Sequence, residues 1–500
     1  MIRIRYPKPL SKLFSISFAL FLVGVSFSIH AADESTPNIL WINIDDQSPW
    51  YGTYGDELVQ TPNLDALADQ GVVFERAYAP SPVCAPSRSA LITGSYSIRT
   101  GAHDMRSGRV PEYQIHLPEG VTTLPELFQK VGYETYNAGK DDFNFTYERS
   151  DLYSVRDAAA DTTDGKSWKG DEGSGDWRDV PDGHSFFGQT MIAGGKAINE
   201  DLPAQLRALG YDPVTPDEVR VPLQYPDIPD VRRHIAGHYN SIMQTDYQLG
   251  QLIDRLKTDG HFDNTIIFLF SDHGSDLPRS KEFLYTEGLH VPLIIVAPGL
   301  QDIVEPGTRR SDIVNLMDIA ATSLRLAGLE VPDFMDSKDL FAQDYSRDYV
   351  FSSADRMSNV IDRVRSVMGD RYHYIRNFMT DRPLMNWGYR EMWGLQDPDA
   401  FSSIHIRQLY EADKLTPEQS APYGPRVAEE LYDLQNDPDE VVNLAGDPDY
   451  EAVLNTMREQ LATWIEDTDD KGQYPRSAAA MKEITDRFPE SWLQSPEFRK

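Results

Sequence analysis

Cysteine is nearly absent from this chain, since Cys84 is the only one among 500 residues. A single cysteine excludes an intrachain disulfide, although disulfides are common in exported proteins. A lone thiol is either a small buried apolar side chain or a group with chemistry of its own. The sequence around Cys84 is therefore the evidence that distinguishes these two interpretations.

Positive charge is also scarce. The chain has 47 Lys and Arg residues against 79 Asp and Glu residues, which gives a formal net charge of −32. Such a surface repels polyanions at long range, so nucleic acid is not expected as a partner. If the substrate is an anion, the binding site has to gather positive charge locally.

Long apolar runs are equally rare, and the only one covers residues 13–28. Basic residues precede this run, and Ala31 and Ala32 follow it as small residues suited to cleavage. The order predicts a secretory signal peptide over residues 1–32. The run is shorter than the ~20 residues of a membrane-spanning helix, so an uncleaved anchor is the less favoured alternative. We therefore expect a mature protein without stable membrane insertion, in the periplasm or secreted.

Shorter apolar runs alternate with helical patterns over much of the chain. Three of them predict strands buried on both faces: residues 38–44, 265–270 and 291–297. Helices are predicted between them, for example over residues 124–131 and 236–256. The alternation predicts an α/β fold with a large, mixed, mostly parallel sheet sandwiched by helices. Ligands of such sheets gather beyond the carboxyl ends of strands, where Asp45-Asp46 and Asp272-His273 stand in this sequence.

The pattern changes near residue 349. Residues 364–377 and 430–433 predict short strands, and residues 450–467 predict an amphipathic helix. We therefore predict a large domain over residues 33–348 and a smaller C-terminal α+β domain over residues 349–500.

The strongest local signal is the segment Cys84-Ala85-Pro86-Ser87-Arg88. Proline suits the first turn of a helix, so Pro86 predicts a helix that begins near Cys84. The free N–H groups and the dipole of a helix N-terminus favour anions, and Arg88 adds a fixed positive charge one turn later. A thiolate with a lowered pKa would suit this position as well.

This segment resembles the Cys-x-Pro-Ser-Arg signature of the type I, formylglycine-dependent sulfatases of the alkaline phosphatase superfamily. The resemblance extends over most of the chain after residue 32. It implies an alkaline phosphatase-like fold over residues 33–348 and a hydrolase of sulfuric esters. It also implies that Cys84 is oxidised to formylglycine by a formylglycine-generating or sulfatase-maturating enzyme. The hydrate of that aldehyde would attack sulfur and later expel sulfate.

The resemblance implies a Ca²⁺ site as well. Its ligands are matched by these residues: Asp45, Asp46, Asp272, His273 and the modified Cys84. Three carboxylates make a hard, oxygen-rich site of the kind that Ca²⁺ prefers. The assignment of His273 depends on the resemblance alone, because histidine is not a typical calcium ligand. One acidic pair by itself would be interpreted as a turn or a helix cap.

Cations complete the implied site. Besides Arg88, the resemblance implies two lysines in the site. Lys140 and Lys281 match the sulfate-binding lysines of the family. The chain departs from the family at Asp142, which replaces a common histidine and is expected near the substrate. Counting from Phe186-Phe187 places Lys196 where the family has another histidine, so Lys196 is expected to bind sulfate or protonate the leaving oxygen.

Further candidates for substrate contact are His103 and Arg106, in the segment that follows the signature. If that alignment fails, a histidine such as His103, His234 or His238 would take the role of Lys196. His234 and His238 are four residues apart and share a face of a predicted helix, and we favour helix-surface histidines there. In the Gly- and Asp-rich loop predicted over residues 157–184, a tryptophan either stacks on a sugar or fills a local gap.

The C-terminal segments Tyr374-Ile375-Arg376-Asn377-Phe378 and Leu431-Tyr432-Asp433-Leu434 resemble those of heparan N-sulfatase-like, polysaccharide-acting sulfatases. A sulfated glycan is therefore the expected substrate, with algal polymers such as ulvan or carrageenan favoured. The alternatives are an N-sulfoglucosamine sulfohydrolase-like heparan sulfatase, a phosphodiesterase or phosphonate hydrolase of the same superfamily, and an inactive glycan-binding protein.

Overall fold

The computed structural model describes residues 36–155, 175–385 and 402–499. The predicted signal peptide, residues 1–32, lies outside these ranges, and so does Trp168 of the predicted long loop. Within the described ranges, no helix combines the length and apolar character needed to cross a membrane. Residues Thr36–Lys500 form one compact unit. The domain boundary between residues 348 and 349 stays a prediction.

The strands are numbered along the chain. They are β1 (Asn38–Ile44), β2 (Val72–Tyr78), β3 (Arg109–Val110), β4 (Tyr113–Gln114), β5 (Glu134–Ala138), β6 (Phe186–Ile192), β7 (Thr265–Ser271), β8 (His290–Val291), β9 (Leu293–Val296), β10 (Thr308–Asn315), β11 (Val350–Ala354), β12 (Val364–Met368), β13 (Tyr372–Asn377) and β14 (Glu429–Asp433).

Eight of these described strands form the central sheet, in the order β10-β2-β9-β7-β1-β6-β5 with β8 beside β2. The neighbours β7, β1, β6 and β5 run parallel to one another. In contrast, β9 is antiparallel to both β7 and β2. The sheet is therefore mixed and mostly parallel, as the sequence predicts. The run predicted as one strand over residues 291–297 is divided at Pro292, because proline has no N–H to donate to a neighbouring strand.

The helices follow the same numbering. They are α1 (Pro62–Ala68), α2 (Cys84–Thr93), α3 (Ser97–Thr100), α4 (Leu124–Gln129), α5 (Arg149–Leu152), α6 (Leu202–Ala208), α7 (Pro229–Thr258), α8 (Thr286–Leu289), α9 (Asp318–Leu326), α10 (Ser402–Glu411), α11 (Pro417–Ser420), α12 (Glu451–Asp467) and α13 (Ala478–Arg487).

Helices cover both faces of the central sheet, as alternating side chains of β1 show. Trp41 belongs to a core with Leu124 of α4 and Ile319 of α9. Ile42, the next residue of β1, belongs to a second core with residues of the long helix α7, such as Leu249. Successive side chains of a strand point to opposite faces, so two cores enclose β1 completely. This double burial explains why β1 is apolar throughout.

A second, antiparallel sheet lies in the C-terminal part, in the order β11-β12-β13-β14. Helix α12 packs on it through Trp464, whose ring stacks on Phe351 at 5.1 Å between centroids. The same indole meets the edge of Tyr96, just before α3, at 5.0 Å. Trp464 therefore joins the smaller sheet to the segment that follows the signature helix α2.

Candidate active site

Four parallel strands deliver polar residues to one edge of the central sheet. These residues follow β1, β7, β5 and β6 respectively: Asp45-Asp46, Asp272-His273, Lys140 and Lys196. Parallel neighbours end on the same side of a sheet, so the topology alone brings these residues towards one another. The three aspartates and the histidine of this set are all buried. Charged groups buried this deeply need partners, and the site supplies them.

Cys84 lies at the centre of this edge. It is the first residue of α2, and its side chain is buried. Its Sγ lies 3.3 Å from His273 Nε2 and 3.7 Å from Asp46 Oδ1. Two ammonium groups are equally close, with Lys281 Nζ at 3.5 Å and Lys196 Nζ at 3.7 Å. The sequence-predicted nucleophile position is thus surrounded by both predicted metal ligands and predicted cations.

The charges around Cys84 change its acidity. Burial raises the pKa of the thiol, but the positive charges of nearby lysines, Lys140 first, outweigh burial and bring the pKa to about 7. His273 shows the opposite balance. Burial lowers its pKa, but the carboxylates of Asp272 and Asp46 raise it to about 10. A charged group at position 84 is therefore well tolerated in this pocket.

Arg88 links two of the acidic positions. Its Nε donates to Asp272 Oδ2 at 2.8 Å, and its Nη2 donates to Asp45 Oδ1 at 2.9 Å. The preceding Ser87 hydroxyl donates to the Asp272 carbonyl at 2.6 Å. The guanidinium is buried with both carboxylates. Its two ion pairs therefore link α2 to the residues that follow β1 and β7.

The lysines complete the ring. Lys140 Nζ lies 3.1 Å from both carboxylate oxygens of Asp45, and Lys281 Nζ lies 2.5 Å from Asp46 Oδ2. Lys196 Nζ also contacts Asp45. Burial raises the pKa of the Asp45 and Asp46 carboxyls, but these cations outweigh burial and hold both values well below normal. Both groups are therefore ionised, and the acidic protein has the local positive charge that an anionic substrate requires.

Close backbone packing places Lys196. Lys196 belongs to a 3-10 turn over Gly194–Ala197, and Gly195 N donates to the Asp45 carbonyl at 2.9 Å. A Cβ on Gly194 would lie 2.1 Å from the Asp45 carbonyl oxygen, and one on Gly195 would lie 2.2 Å from that of Asp46. Only glycine permits this approach at both positions. The count from Phe186-Phe187 in the sequence therefore selects a lysine that lies beside Asp45 and Cys84.

The acidic and histidine side chains could hold a cation. Two sets of three ligand atoms lie within 4.8 Å of one another: Asp46, Cys84 and His273, and Asp45, Cys84 and Asp272. Asp46 has a left-handed backbone, with φ of 57°, which turns its carboxylate back towards Cys84. Carboxylate oxygens from three residues suit a hard divalent cation.

Asp142, which replaces the family's common histidine, does not contact Cys84 among the described contacts. Its carboxylate accepts a 2.6 Å hydrogen bond from Arg109 Nη2 and lies 3.5 Å from Lys140 Nζ. Burial raises its pKa, but Arg109 and Lys140 outweigh burial and hold the pKa far below normal. Sequence reasoning missed Arg109, and no motif pointed to it.

The structure separates the other candidates from the thiol. His103 lies near Asp104 and Asp355, and its Nδ1 is buried without a hydrogen-bond partner in the described structure. Arg106, with φ of 56°, lies near enough to Asp142 to lower the pKa of that carboxyl. Neither His103 nor Arg106 is within the described contacts of Cys84. Their expected roles in substrate contact stay predictions.

The interpretation of His234 and His238 as helix-surface residues is wrong. His238 is fully buried in α7, and its Nε2 accepts from Ser48 N at 3.4 Å. Burial lowers its pKa to about 4. His234 is also enclosed and lies 3.2 Å from Asp276 Oδ1. Both histidines pack against the loops that follow β1 and β7, because the face of α7 that carries them points at the sheet edge.

Trp177 of the predicted long loop fills a local gap. It is buried, and its Nε1 donates to Asp259 Oδ2 at 2.8 Å. Of the two interpretations offered by the sequence, packing is the one that the structure supports at this position.

The fold and the signature helix are those of a type I sulfatase of the alkaline phosphatase superfamily. The model of the Sulfatase family matches residues 37–182 and 209–329, so the chain belongs to the sulfatase family. The protein is therefore a hydrolase of sulfuric esters.

Relatives and solved structures agree with this assignment. The chain is 30% identical to an ulvan-active sulfatase of Formosa agariphila, over 88% of this chain and 76% of that protein. It is 24% identical to human N-sulphoglucosamine sulphohydrolase, over 87% of this chain and 90% of the human protein. The solved structure of a 2-O GAG sulfatase matches with a TM-score of 0.60 and 21% identity, covering 90% of this chain and 96% of that chain, which shows the fold.

Proposed function

We propose that this sulfatase removes sulfate from a sulfated polysaccharide or oligosaccharide, with formylglycine made from Cys84 as the nucleophile. One observation carries the proposal. Position 84 begins a buried helix, and Sγ lies 3.5 Å from Lys281 Nζ, 3.7 Å from Lys196 Nζ and 3.3 Å from His273 Nε2. A nucleophile there would meet a sulfate group inside a ring of cations.

Formylglycine fits position 84 better than an unmodified thiol does. Burial raises the pKa of the Cys84 thiol, but the nearby lysines outweigh burial and bring it to about 7, so a thiolate forms there more readily than in a free cysteine. However, attack by sulfur would give a thiosulfate ester without a hydroxyl to drive sulfate release. The hydrated aldehyde supplies both the attacking oxygen and the second hydroxyl that expels sulfate.

The residues also fit a Ca²⁺ ion, which Asp45, Asp46, Asp272 and His273 would hold beside position 84. The donor chemistry supports this, because three buried carboxylates and a histidine nitrogen converge on position 84, in two groups whose ligand atoms lie within 4.8 Å of one another. A bound divalent cation would lower the pKa of an oxygen nucleophile and polarise a sulfate oxygen.

The cationic side chains have separate tasks. Arg88 orients Asp45 and Asp272 and keeps positive charge next to position 84. Lys140 and Lys281 bind sulfate oxygens and neutralise the charge that develops during sulfuryl transfer. Lys196 replaces the family's histidine and delivers a proton to the leaving sugar oxygen or binds sulfate.

The substrate class follows from the relatives. The first three curated relatives are named as ulvan-active sulfatases. A sulfated algal polymer such as ulvan is therefore the favoured substrate, ahead of heparan-type chains. Carrageenan remains within the same class of sulfated algal polymers. We also propose that residues 1–32 direct export to the periplasm or beyond, and that a formylglycine-generating or sulfatase-maturating enzyme prepares Cys84.

A panel of defined esters tests the function. Purified protein, coexpressed with a maturation enzyme, is incubated with sulfated oligosaccharides and with matched phosphate diesters and phosphonate esters. We expect free sulfate from the glycans at a kcat/KM well above that for any phosphorus ester. A preference for phosphorus esters would contradict the proposal, and glycan binding without sulfate release would identify an inactive binding protein.

A further inference from the structure

We propose that a small apolar pocket beside Lys281 receives an uncharged exocyclic group of the sulfated sugar, such as a methyl group, and excludes a carboxylate or a second sulfate. This inference rests on the proposed function and deepens it, because it names a property of the sugar that loses its sulfate. The pocket lies between the segment that follows Lys281 and the antiparallel sheet of the C-terminal part. Its volume of about 40 Å³ suits one small substituent rather than a whole sugar ring.

The pocket adjoins the proposed sulfate site. One wall is formed by residues 282–285, which directly follow Lys281, and Lys281 Nζ lies 3.5 Å from Cys84 Sγ. Glu282 N donates to the Pro82 carbonyl at 2.8 Å, which fixes the start of this wall against the residues just before the signature helix. A sugar whose sulfate lies beside Cys84 and Lys281 therefore has part of its ring near this wall.

The opposite wall belongs to the C-terminal sheet and to the loop between β11 and β12. Ser353 N, in β11, donates to the Pro80 carbonyl at 3.0 Å, so this strand is also held against the segment before the signature helix. In the loop, Met357 and Val360 exchange two backbone hydrogen bonds of 2.8 and 3.0 Å. Leu384, which is partly buried, lines a further side. Backbone hydrogen bonds therefore hold both walls in place before any ligand binds.

Apolar side chains make up much of the lining. Leu284, Met357, Val364 and Ile375 are buried, and they belong to the same apolar cluster as Cys84. A methyl group gains free energy when it leaves water for such surroundings. A polar group loses its hydrogen bonds to water there unless the protein replaces them. The pocket therefore favours the apolar edge of a sugar.

The charge of the lining is opposite to that of the ring of cations around position 84. No lysine or arginine is among the described residues that line the pocket. Its charged members are all carboxylates: Glu282, Asp355, Asp362 and Glu430. The arginines that bind two of them, Arg365 and Arg426, lie outside the lining. Glu430 accepts hydrogen bonds from the Tyr285 hydroxyl at 2.8 Å and from Asn377 Nδ2 at 2.6 Å. An anionic substituent would therefore meet carboxylates and no cation.

Three sulfated sugars that differ only at the exocyclic carbon test the inference. They are a 6-deoxyhexose with a methyl group, the hexose with a hydroxymethyl group and the hexuronate with a carboxylate, each supplied as its set of ring monosulfates. Sulfate release by the matured enzyme is measured. We expect kcat/KM to be highest for the deoxyhexose and about tenfold or more lower for the hexuronate, whose carboxylate finds no cation in the pocket. A hexuronate hydrolysed as efficiently as the deoxyhexose would overturn the proposal.

Leu384 allows two contrasting variants at one position. Leu384→Lys brings an ammonium group to the lining, so the ratio of kcat/KM for the hexuronate to that for the deoxyhexose should rise about tenfold. Leu384→Ala removes apolar contact and should lower kcat/KM for the deoxyhexose by about tenfold. Leu223→Lys is the matched control, since Leu223 is 62% exposed and is not part of the lining. If neither Leu384 variant changed these values, the pocket would have no part in selecting the sugar.

Binding separates this inference from the proposed function. If none of the three sugars releases sulfate, the proposed function fails, but the pocket can still be measured. Calorimetric titration of the Cys84→Ala protein should then show binding of the deoxyhexose sulfate about tenfold tighter than that of the hexuronate sulfate. Equal affinity for the two sugars, or binding of neither, would overturn the pocket whatever the outcome for hydrolysis.

Discussion

Arg88 and Asp272 form an enclosed ion pair, with Nε 2.8 Å from Oδ2 and side-chain exposures of 6% and 0%. The pair joins the signature helix α2 to the carboxyl end of β7. The Nη2 atom of the same guanidinium reaches Asp45, so Arg88 also joins the carboxylates that follow the neighbouring strands β1 and β7.

Replacing Arg88 tests this connection. Arg88→Lys keeps the charge, but an ammonium group cannot reproduce the separate Nε and Nη2 bonds to Asp272 and Asp45, so one of these two buried carboxylates loses its hydrogen bond to residue 88. We expect the free energy of unfolding, measured by urea denaturation, to fall by about 3 kcal/mol. We also expect kcat for sulfate release to fall by about a hundredfold or more. Arg309→Lys is the control, because its pair with Glu75 is exposed and should change stability little. Unchanged stability of Arg88→Lys would contradict the assignment.

The chemical state of residue 84 is the second prediction. Mass spectrometry of the tryptic peptide should show formylglycine in active protein, at a lower mass than the thiol form. Cys84→Ala should abolish sulfate release while the circular dichroism spectrum stays unchanged, since alanine fits a position where a small side chain is buried. Full activity in protein that holds only the unmodified thiol would exclude formylglycine as the nucleophile.

Calcium removal is the third prediction. An ion bound only by the folded state raises the melting temperature, so dialysis against a chelator should lower it and added Ca²⁺ should restore it. The three carboxylates suit Ca²⁺ more than a metal that prefers sulfur or nitrogen ligands. The readout is the melting curve together with calorimetric Ca²⁺ binding, independent of activity. A melting temperature that neither chelator nor Ca²⁺ changes would exclude this site.

Close packing at Gly195 gives the fourth prediction. A methyl group there would lie 2.2 Å from the Asp46 carbonyl oxygen, so the turn that carries Lys196 has to move. We expect Gly195→Ala to lower stability by about 1–3 kcal/mol and to reduce kcat, because Lys196 leaves position 84. Gly446→Ala is the control, since a Cβ there meets no atom within 4 Å. Equal behaviour of the two variants would show that the turn is not closely packed.

Much of this architecture could be predicted because it depends on local pattern. The apolar run 38–44 is β1 residue for residue, since a strand buried on both faces has little freedom of composition. The signature segment predicts the start of α2 at Cys84, and Asp45, Asp46, Asp272 and His273 meet there because parallel strands end together.

Long-range contacts could not be predicted in the same way. Arg109 and Arg487 carry no motif, and their positions depend on how α13 docks on the loop before β3. The burial of His238 was missed because helix spacing shows which residues share a face, not which face meets the sheet. The division of the strand at Pro292 could have been predicted from the proline itself.

The burial of position 84 bears on when the proposed oxidation can take place. Its side chain is only 2% exposed and already forms the first turn of a helix. A maturation enzyme of the kind proposed above would therefore have to oxidise Cys84 before the chain folds around it. Molecules that fold first would keep the thiol and would lack the proposed nucleophile.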